Sequence, residues 1–127
     1  MLIKKVISTD KAPKAIGPYS QAVEVNGILF ISGQIPIDPG TGKIVEGGIT
    51  EQTEQVMRNV GAVLTEAGLG FSNVVKSTCL LTDMENFAAM NSVYGKYYPS
   101  NPPARAAYAV VKLPLGAMVE IETIAAR

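Results

Sequence analysis

Two runs, "ILFISGQI" at 28–35 and "RAAYAVVKL" at 105–113, are apolar at both odd and even positions. Side chains of a strand alternate between its two faces, so strands of this kind leave neither face of their sheet to water. The rest of the chain has only two segments with helical periodicity, enough to cover one face. A partner subunit covering the other makes a homo-oligomer the expectation from packing alone.

The elements follow in chain order. Leu2 to Ile7, Gln21 to Val25 and Ile28 to Ser32 read as short strands, the last two joined through Asn26-Gly27, a two-residue hairpin signal. "APKAIGPYSQ" and "PIDPGTGKIVEGG" read as loops punctuated by Pro and Gly. From Thr50 to Ala67, Val56, Val60, Val63, Leu64 and Ala67 fall at helical spacing, with Glu51 and Glu54 in the first turn and Gly68 past the end. Val74 to Leu81 is a strand. Thr82 with Glu85 fits a capping box opening a second helix, which carries Phe87, Met90, Tyr94 and Tyr97 on one face as core and closes at Pro99. Strands Arg105 to Lys112 and Met118 to Ala125 finish the chain. The expectation is an α+β fold, a mixed sheet of about six strands with both helices on one face. Its 127 residues suit a single domain, 1–127, with no internal repeat or linker.

Composition removes several kinds of chemistry. Eleven basic and eleven acidic side chains balance with no block of like charge, which argues against a nucleic-acid partner. The chain has no histidine, so Ser-His and Cys-His nucleophile pairs, His-bearing metal centres and histidine-based ribonuclease chemistry cannot operate. Cys79 is the single cysteine; it can form no internal disulfide and reads as a small core residue. Gly42-Lys43 fails as a phosphate loop, because Ile37 stands where Gly is needed and Ile44 where Ser or Thr is needed. No run is apolar enough to span a membrane, and 1–7, broken by Lys4 and Lys5, reads as the first strand of a cytoplasmic protein.

A few residues remain as candidates. In "MVEIETIAAR" the period of two puts Glu120 and Glu122 on one face and Val119, Ile121 and Thr123 on the other. Carboxylates on an apolar strand need a partner, so Arg105 and one glutamate either line a cleft together or form a structural ion pair. Tyr19 after Gly17-Pro18, Ser32 and Gly33 sit where loops meet strands; each is a site residue or, respectively, an edge aromatic, a strand-end hydroxyl and a bulge. Asn91 either faces solvent or points into a cleft.

"AIGPYSQAV", "ISGQIP", the Pro-Ala-Arg at 103–105 and "VEIETIA", in this order, resemble the Rid (YjgF-type) family over essentially the whole chain, closest to its RidA branch. The resemblance implies a chorismate-mutase-like homotrimer whose sheets form a central barrel, with three clefts between subunits. It also implies hydrolytic deamination of 2-aminoacrylate and related carboxylate-bearing enamines and imines, released by enzymes that use pyridoxal phosphate, without metal or cofactor. By the same resemblance Arg105 grips the substrate carboxylate, Glu120 positions or polarises water, Tyr19 and Ser32 line the pocket, the Gly33 N–H helps anchor the carboxylate, and Asn91 and position 107 contact the substrate. Many close members carry Cys two residues after the arginine, where this chain has Ala107. A thiol-dependent variant is thereby removed, although a backbone contact at 107 survives.

Two other readings use the same residues: a non-catalytic, carboxylate-binding regulatory trimer, and an endoribonuclease or translation inhibitor, as attached to parts of the family. Turnover separates the first; neutral charge and missing histidine argue against the second.

Overall fold

The computed structural model describes residues 3–127. Ten regular elements occur among them: β1 (Lys5–Ile7), β2 (Ala22–Val25), β3 (Ile28–Gln34), β4 (Ile37–Asp38), β5 (Lys43–Ile44), α1 (Ile49–Glu66), β6 (Val74–Leu81), α2 (Phe87–Tyr94), β7 (Ala104–Ala109) and β8 (Val119–Ala126). Leu2, placed by sequence in the first strand, lies outside the described residues.

Six strands form one mixed sheet in the order β1-β2-β3-β8-β6-β7. All neighbours are antiparallel except β6 and β7. That parallel pair cannot be closed by a tight turn, and α2 lies in the crossover between its strands. Asn26 and Gly27 both take positive φ, 51° and 76°, as a two-residue hairpin of mirror-image turn type requires.

The α1 helix buries Val56, Val60, Val63 and Leu64 completely; burial of such side chains stabilises by about 1.5–3 kcal/mol each. Glu51 accepts a hydrogen bond from the Gly48 N–H at 2.8 Å at its start. At its end Gly68, φ 76°, lets Leu69 N donate to Leu64 O and Gly68 N to Thr65 O, the paired bonds that close a helix on a left-handed residue. Facing the helices, the sheet contributes Leu29, Ile31, Cys79, Leu81, Val119, Ile121 and Ala125 to the core.

Polar residues of α1 are buried too, and they fix the strand ends. Asn59 Nδ2 donates to the carbonyls of Ile35 and Ile37, 3.1 and 2.9 Å, holding the corner after β3. Gln52 Oε1 accepts from Met118 N at 2.8 Å, just before β8.

Three sequence expectations are corrected. "PIDPGTGKIVEGG" contains the small β4–β5 hairpin, since Asp38 both caps its own turn, accepting from Gly40 N, and leaves Ile37 opposite Ile44. Thr82 and Glu85 form no capping box: Asp83 accepts from Glu85 N at 2.9 Å and begins a tighter 3₁₀ turn, 84–86, that feeds α2, while Thr82 N is taken by Met118 O. Strand β7 ends at Ala109 rather than Lys112, where Val110 N turns back to Leu81 O and Val111 becomes 97% exposed.

The sheet's second face is open in the single chain and largely apolar. One cross-strand row runs Val6, Val23, Phe30, Ile124, Lys76, Ala104. Val6 and Phe30 are 57% and 42% exposed, too much contiguous apolar surface to explain as scattered exposure.

Candidate active site

Arg105 stands on β7 beside Ser77 of β6, whose side chain is buried on the helix side. Neighbours in register share a face, so Arg105 also points toward the helices. There Nη1 donates to Asn91 Oδ1 of α2 at 2.6 Å. The guanidinium carbon lies 5.4 Å from the centroid of the Phe87 ring and 5.0 Å from that of Tyr94, both within cation–π range. Arg105 is in no ion pair among the described residues; the two pairs found there are Arg58–Glu54 and Arg127–Glu24. The structural ion pair left open by the sequence is therefore not formed within the chain, and a five-donor fork is held in place with no carboxylate of its own.

Ala107, two residues along β7, shares this face and stands in register with Cys79. The Cys79 thiol is fully buried, and burial pushes it up to about 11, only partly opposed by the positive charge of Arg105. Cys79 thus lies one strand over from the position where the family pattern has its cysteine, but as a protonated core thiol.

Glu120 faces the other way. It lies in register with Leu80, and Leu80 with Tyr108, on the open face. Burial, and then the charge of Glu122 on the same face, hold its carboxyl above the usual carboxylate range. Its carboxylate rests on Gly33: a Cβ at 33 would overlap Glu120 Oε2 and sit 2.9 Å from its Cδ. The register of β3 against β8 slips between Ile31 and Gln34, so Ser32 and Gly33 form a bulge. The bulge read from the sequence at Gly33 is formed, and the structure sets Gly33 against Glu120, whose carboxylate would have to shift to admit a Cβ.

Ser32 Oγ donates to the Ser20 carbonyl at 2.6 Å, and Ser32 N to Gln21 O at 2.9 Å, which tie the bulge to the loop carrying Tyr19. Gln21, itself buried, pins the start of that loop by accepting from Thr9 N and donating to Pro13 O. Tyr19, Ser32, Glu122, Lys76 and Phe30 line an open-face cavity of about 630 Å³.

The seven candidates therefore fall into two groups. Arg105, Asn91 and Ala107 gather at β7 and α2; Glu120, Gly33, Ser32 and Tyr19 belong to the open face and its β3 edge. The strands of Arg105 and Glu120 are separated by β6, about 10 Å apart across the sheet; the two residues are also offset by three register positions, Arg105 standing level with Thr123 rather than Glu120, and the side chains leave in opposite directions. Phe87 and Tyr94 were read from sequence only as core. Their signal is the spacing 87, 91, 94 on α2, which places one ring on each side of Asn91 along one helix face.

The sequence profile described as endoribonuclease L-PSP matches residues 9–127. A mouse protein named 2-iminobutanoate/2-iminopropanoate deaminase is 53% identical over 124 residues, spanning 98% of this chain and 92% of that protein. A Yersinia pestis protein of unknown function from the conserved Rid family superposes with a TM-score of 0.96 at 49% identity, covering 98% of this chain and all of that one. Escherichia coli TdcF, solved with bound serine, superposes with a TM-score of 0.91 at 39% identity, over 97% and 98% of the two chains.

Proposed function

The chain belongs to the endoribonuclease L-PSP family, the Rid (YjgF-type) family its motifs resemble, and from that premise we propose that it is a 2-iminobutanoate/2-iminopropanoate deaminase. It hydrolyses short 2-imino acids, and the enamines that tautomerise to them, to 2-keto acids and ammonia. The observation that carries this reading is Arg105: a guanidinium fixed by Asn91, Phe87 and Tyr94 with no carboxylate partner among the described residues. A planar fork in that state suits the carboxylate of a small acid.

The imine carbon is already electrophilic. Water adds to it, giving a carbinolamine with one new C–O bond; the C–N bond then breaks, ammonia leaves, and the keto acid remains. Glu120 takes a proton from the attacking water and passes it to the imine nitrogen as the carbinolamine forms, then takes the carbinolamine hydroxyl proton and delivers it to the same nitrogen as the C–N bond breaks. Its raised proton affinity suits both steps, because a carboxyl nearer the working pH takes up and gives back a proton more evenly. The bulge at Ser32 and Gly33 leaves the space in which that carboxylate sits, and Tyr19, with Ser32 and Glu122, lines the open-face cavity on the same side of the sheet. Ala107 offers backbone and a small methyl where a thiol would narrow the site.

One chain cannot bring Arg105 and Glu120 to the same substrate. The proposed site is a cleft between subunits of a homotrimer, Arg105, Asn91 and Ala107 from one protomer meeting Glu120, Gly33, Ser32 and Tyr19 of its neighbour. The apolar row Val6–Val23–Phe30–Ile124 is then covered by the packed sheets. Among the described residues no helix is long and apolar enough to cross a membrane, and the proposed location is the cytoplasm, where amino-acid enzymes using pyridoxal phosphate release such imines.

The test generates the imine in situ with a serine or threonine dehydratase and follows its decay and keto-acid release with and without this protein. Faster decay is expected. A folded protein that binds 2-oxobutanoate yet leaves the decay unchanged would overturn the enzyme in favour of a carboxylate-binding trimer.

A further inference from the structure

Arg105 lies on the edge strand of the sheet, where β7 is exposed along most of its length. A four-bond side chain in such a place ordinarily samples many rotamers, and a carboxylate binding to it must first select one. Here the rotamer is already selected. Phe87 and Tyr94 present their rings to the guanidinium at 5.4 and 5.0 Å, and Asn91, between them on α2, accepts from Nη1 at 2.6 Å. The contact with Asn91 takes one donor edge of the fork and leaves the remaining N–H groups free for an anion.

The three residues differ in how firmly they are themselves held. Tyr94 is 6% exposed and packs against Tyr98, ring centroids 4.8 Å apart, which in turn meets Phe71 edge-on at 5.7 Å. Its hydroxyl is buried near the Ser77 hydroxyl, on the strand beside Arg105. Among the described residues the side-chain hydrogen bond of Arg105 goes to Asn91 and not to this phenol, so what Tyr94 contributes is the face of its ring. Burial keeps that phenol neutral, leaving a cation–π contact rather than an ion pair.

We infer that Tyr94 and Phe87 are positioning residues of the deaminase, an aromatic clamp that fixes the Arg105 guanidinium in its carboxylate-binding rotamer, with the Tyr94 ring as the anchored jaw. This rests on the proposed deamination and extends it to residues that do not touch the reacting atoms. The clamp acts on carboxylate capture; the water and proton steps at Glu120 lie outside its reach. Its loss therefore raises KM far more than it lowers kcat.

The test compares Tyr94→Leu, Tyr94→Phe and Phe87→Leu with the unaltered protein in the dehydratase-coupled assay, each also in an Arg105→Ala background, with the affinity for 2-oxobutanoate measured by calorimetry. Tyr94→Leu is expected to raise KM by roughly 2- to 30-fold, the range a cation–π contact spans from exposed to desolvated sites, with kcat nearly unchanged. Tyr94→Phe, which keeps the ring and removes the hydroxyl, restores wild-type KM. In the Arg105→Ala background Tyr94→Leu weakens 2-oxobutanoate binding no further. Equal losses in both backgrounds, a fall confined to kcat, or failure of Tyr94→Phe to restore KM would each overturn the clamp. Calorimetry keeps the two proposals apart: if the unaltered protein binds the keto acid but accelerates nothing, deamination fails while the clamp is still decided by the binding ratio of Tyr94→Leu to Tyr94→Phe.

Discussion

Arg105 reaches the helix side of the sheet and Glu120 its open side, with β6 between their strands. Two groups needed by one small substrate are thus separated by a layer of backbone that neither side chain crosses. An intersubunit cleft resolves the geometry, and it makes the site dependent on assembly in a way that mixing experiments can read.

Arg105→Ala and Glu120→Gln should each be nearly inactive as homotrimers, while trimers formed by refolding the two variants together regain activity. In a random mixture about a quarter of the clefts receive an intact Arg105 from one protomer and an intact Glu120 from its neighbour, if each cleft draws one residue from each of two chains. Recovery toward that level is the expected outcome. No recovery in a verified mixed trimer would place both residues of each site in the same protomer.

Arg105→Ala should leave the fold and assembly intact at a modest cost in thermal stability, about 0.5–2 kcal/mol, because the exposed side chain breaks no ion pair but gives up its contacts with Asn91, Phe87 and Tyr94. Arg105→Lys should retain only weak activity, since an ammonium can neither stack between two rings nor make a two-pronged bond to a carboxylate. The midpoint of thermal unfolding and the apparent KM check the two statements separately.

Glu120 gives a pH dependence whose sign is fixed. Its folded-state proton affinity is raised by burial and by Glu122. The native state therefore holds this proton more tightly than the unfolded chain does. The resulting stabilisation is fully present below the ordinary carboxylate value of 4.5 and is lost as pH rises through the elevated folded value. Glu120→Gln should accordingly gain stability relative to wild type above that window and none below it, as read by thermal melts across pH 3.5–8. Activity moves the other way: the same substitution should slow hydrolysis by about 10²- to 10⁴-fold if Glu120 transfers the proton.

Where residues stand in their own strands was legible from the sequence, and where strands stand relative to each other was not. The parity of "VEIETIA" placed Glu120 and Glu122 on the face opposite Val119 and Ile121, as the burial of those residues bears out. The periodicity of α1 predicted its core stripe, and Asn26-Gly27 its turn. Local patterns fix such features because they follow from the repeat of one element. The separation of Arg105 from Glu120 depends on β7 joining β6 in parallel at the sheet edge, a long-range pairing with no local signature. Phe87 and Tyr94 are core as the sequence indicated, Tyr94 within the buried cluster and Phe87 packed against it, but their second contact was not legible for a related reason: a ring at helical spacing looks the same in sequence whether it packs only on leucine or also on a guanidinium. Asn59 and Gln52 were passed over because polar side chains on a helix ordinarily face water, and only the strand ends they hold explain their burial.

Cys79 should be silent toward thiol reagents in the native protein. It is fully buried, and its thiol is pushed up to about 11, so at pH 7.5 thiolate is a trace species without access to solvent. Iodoacetamide should label one equivalent in denaturant and none over hours without it. Native labelling at a rate independent of unfolding would show that the β6–β7 strip opens locally next to Arg105.

The contact between Gly33 and Glu120 allows the sharpest test of the open-face half of the site. Gly33 is not among the glycines with positive φ, so its backbone accepts an L residue, and the obstacle to a side chain is the Glu120 carboxylate. Gly33→Ala should displace that carboxylate, and because the displaced group is the far end of a flexible side chain the stability cost should stay at or below about 1 kcal/mol, while most of the activity is lost. In a Glu120→Ala background the obstructing group is gone, and the stability cost of Gly33→Ala should fall to near zero. A thermodynamic cycle over the four proteins measures this coupling directly. Additive costs would mean that Gly33 is required by the β3 bulge itself and that Glu120 has room to move, which would remove the fixed carboxylate from the proposed mechanism.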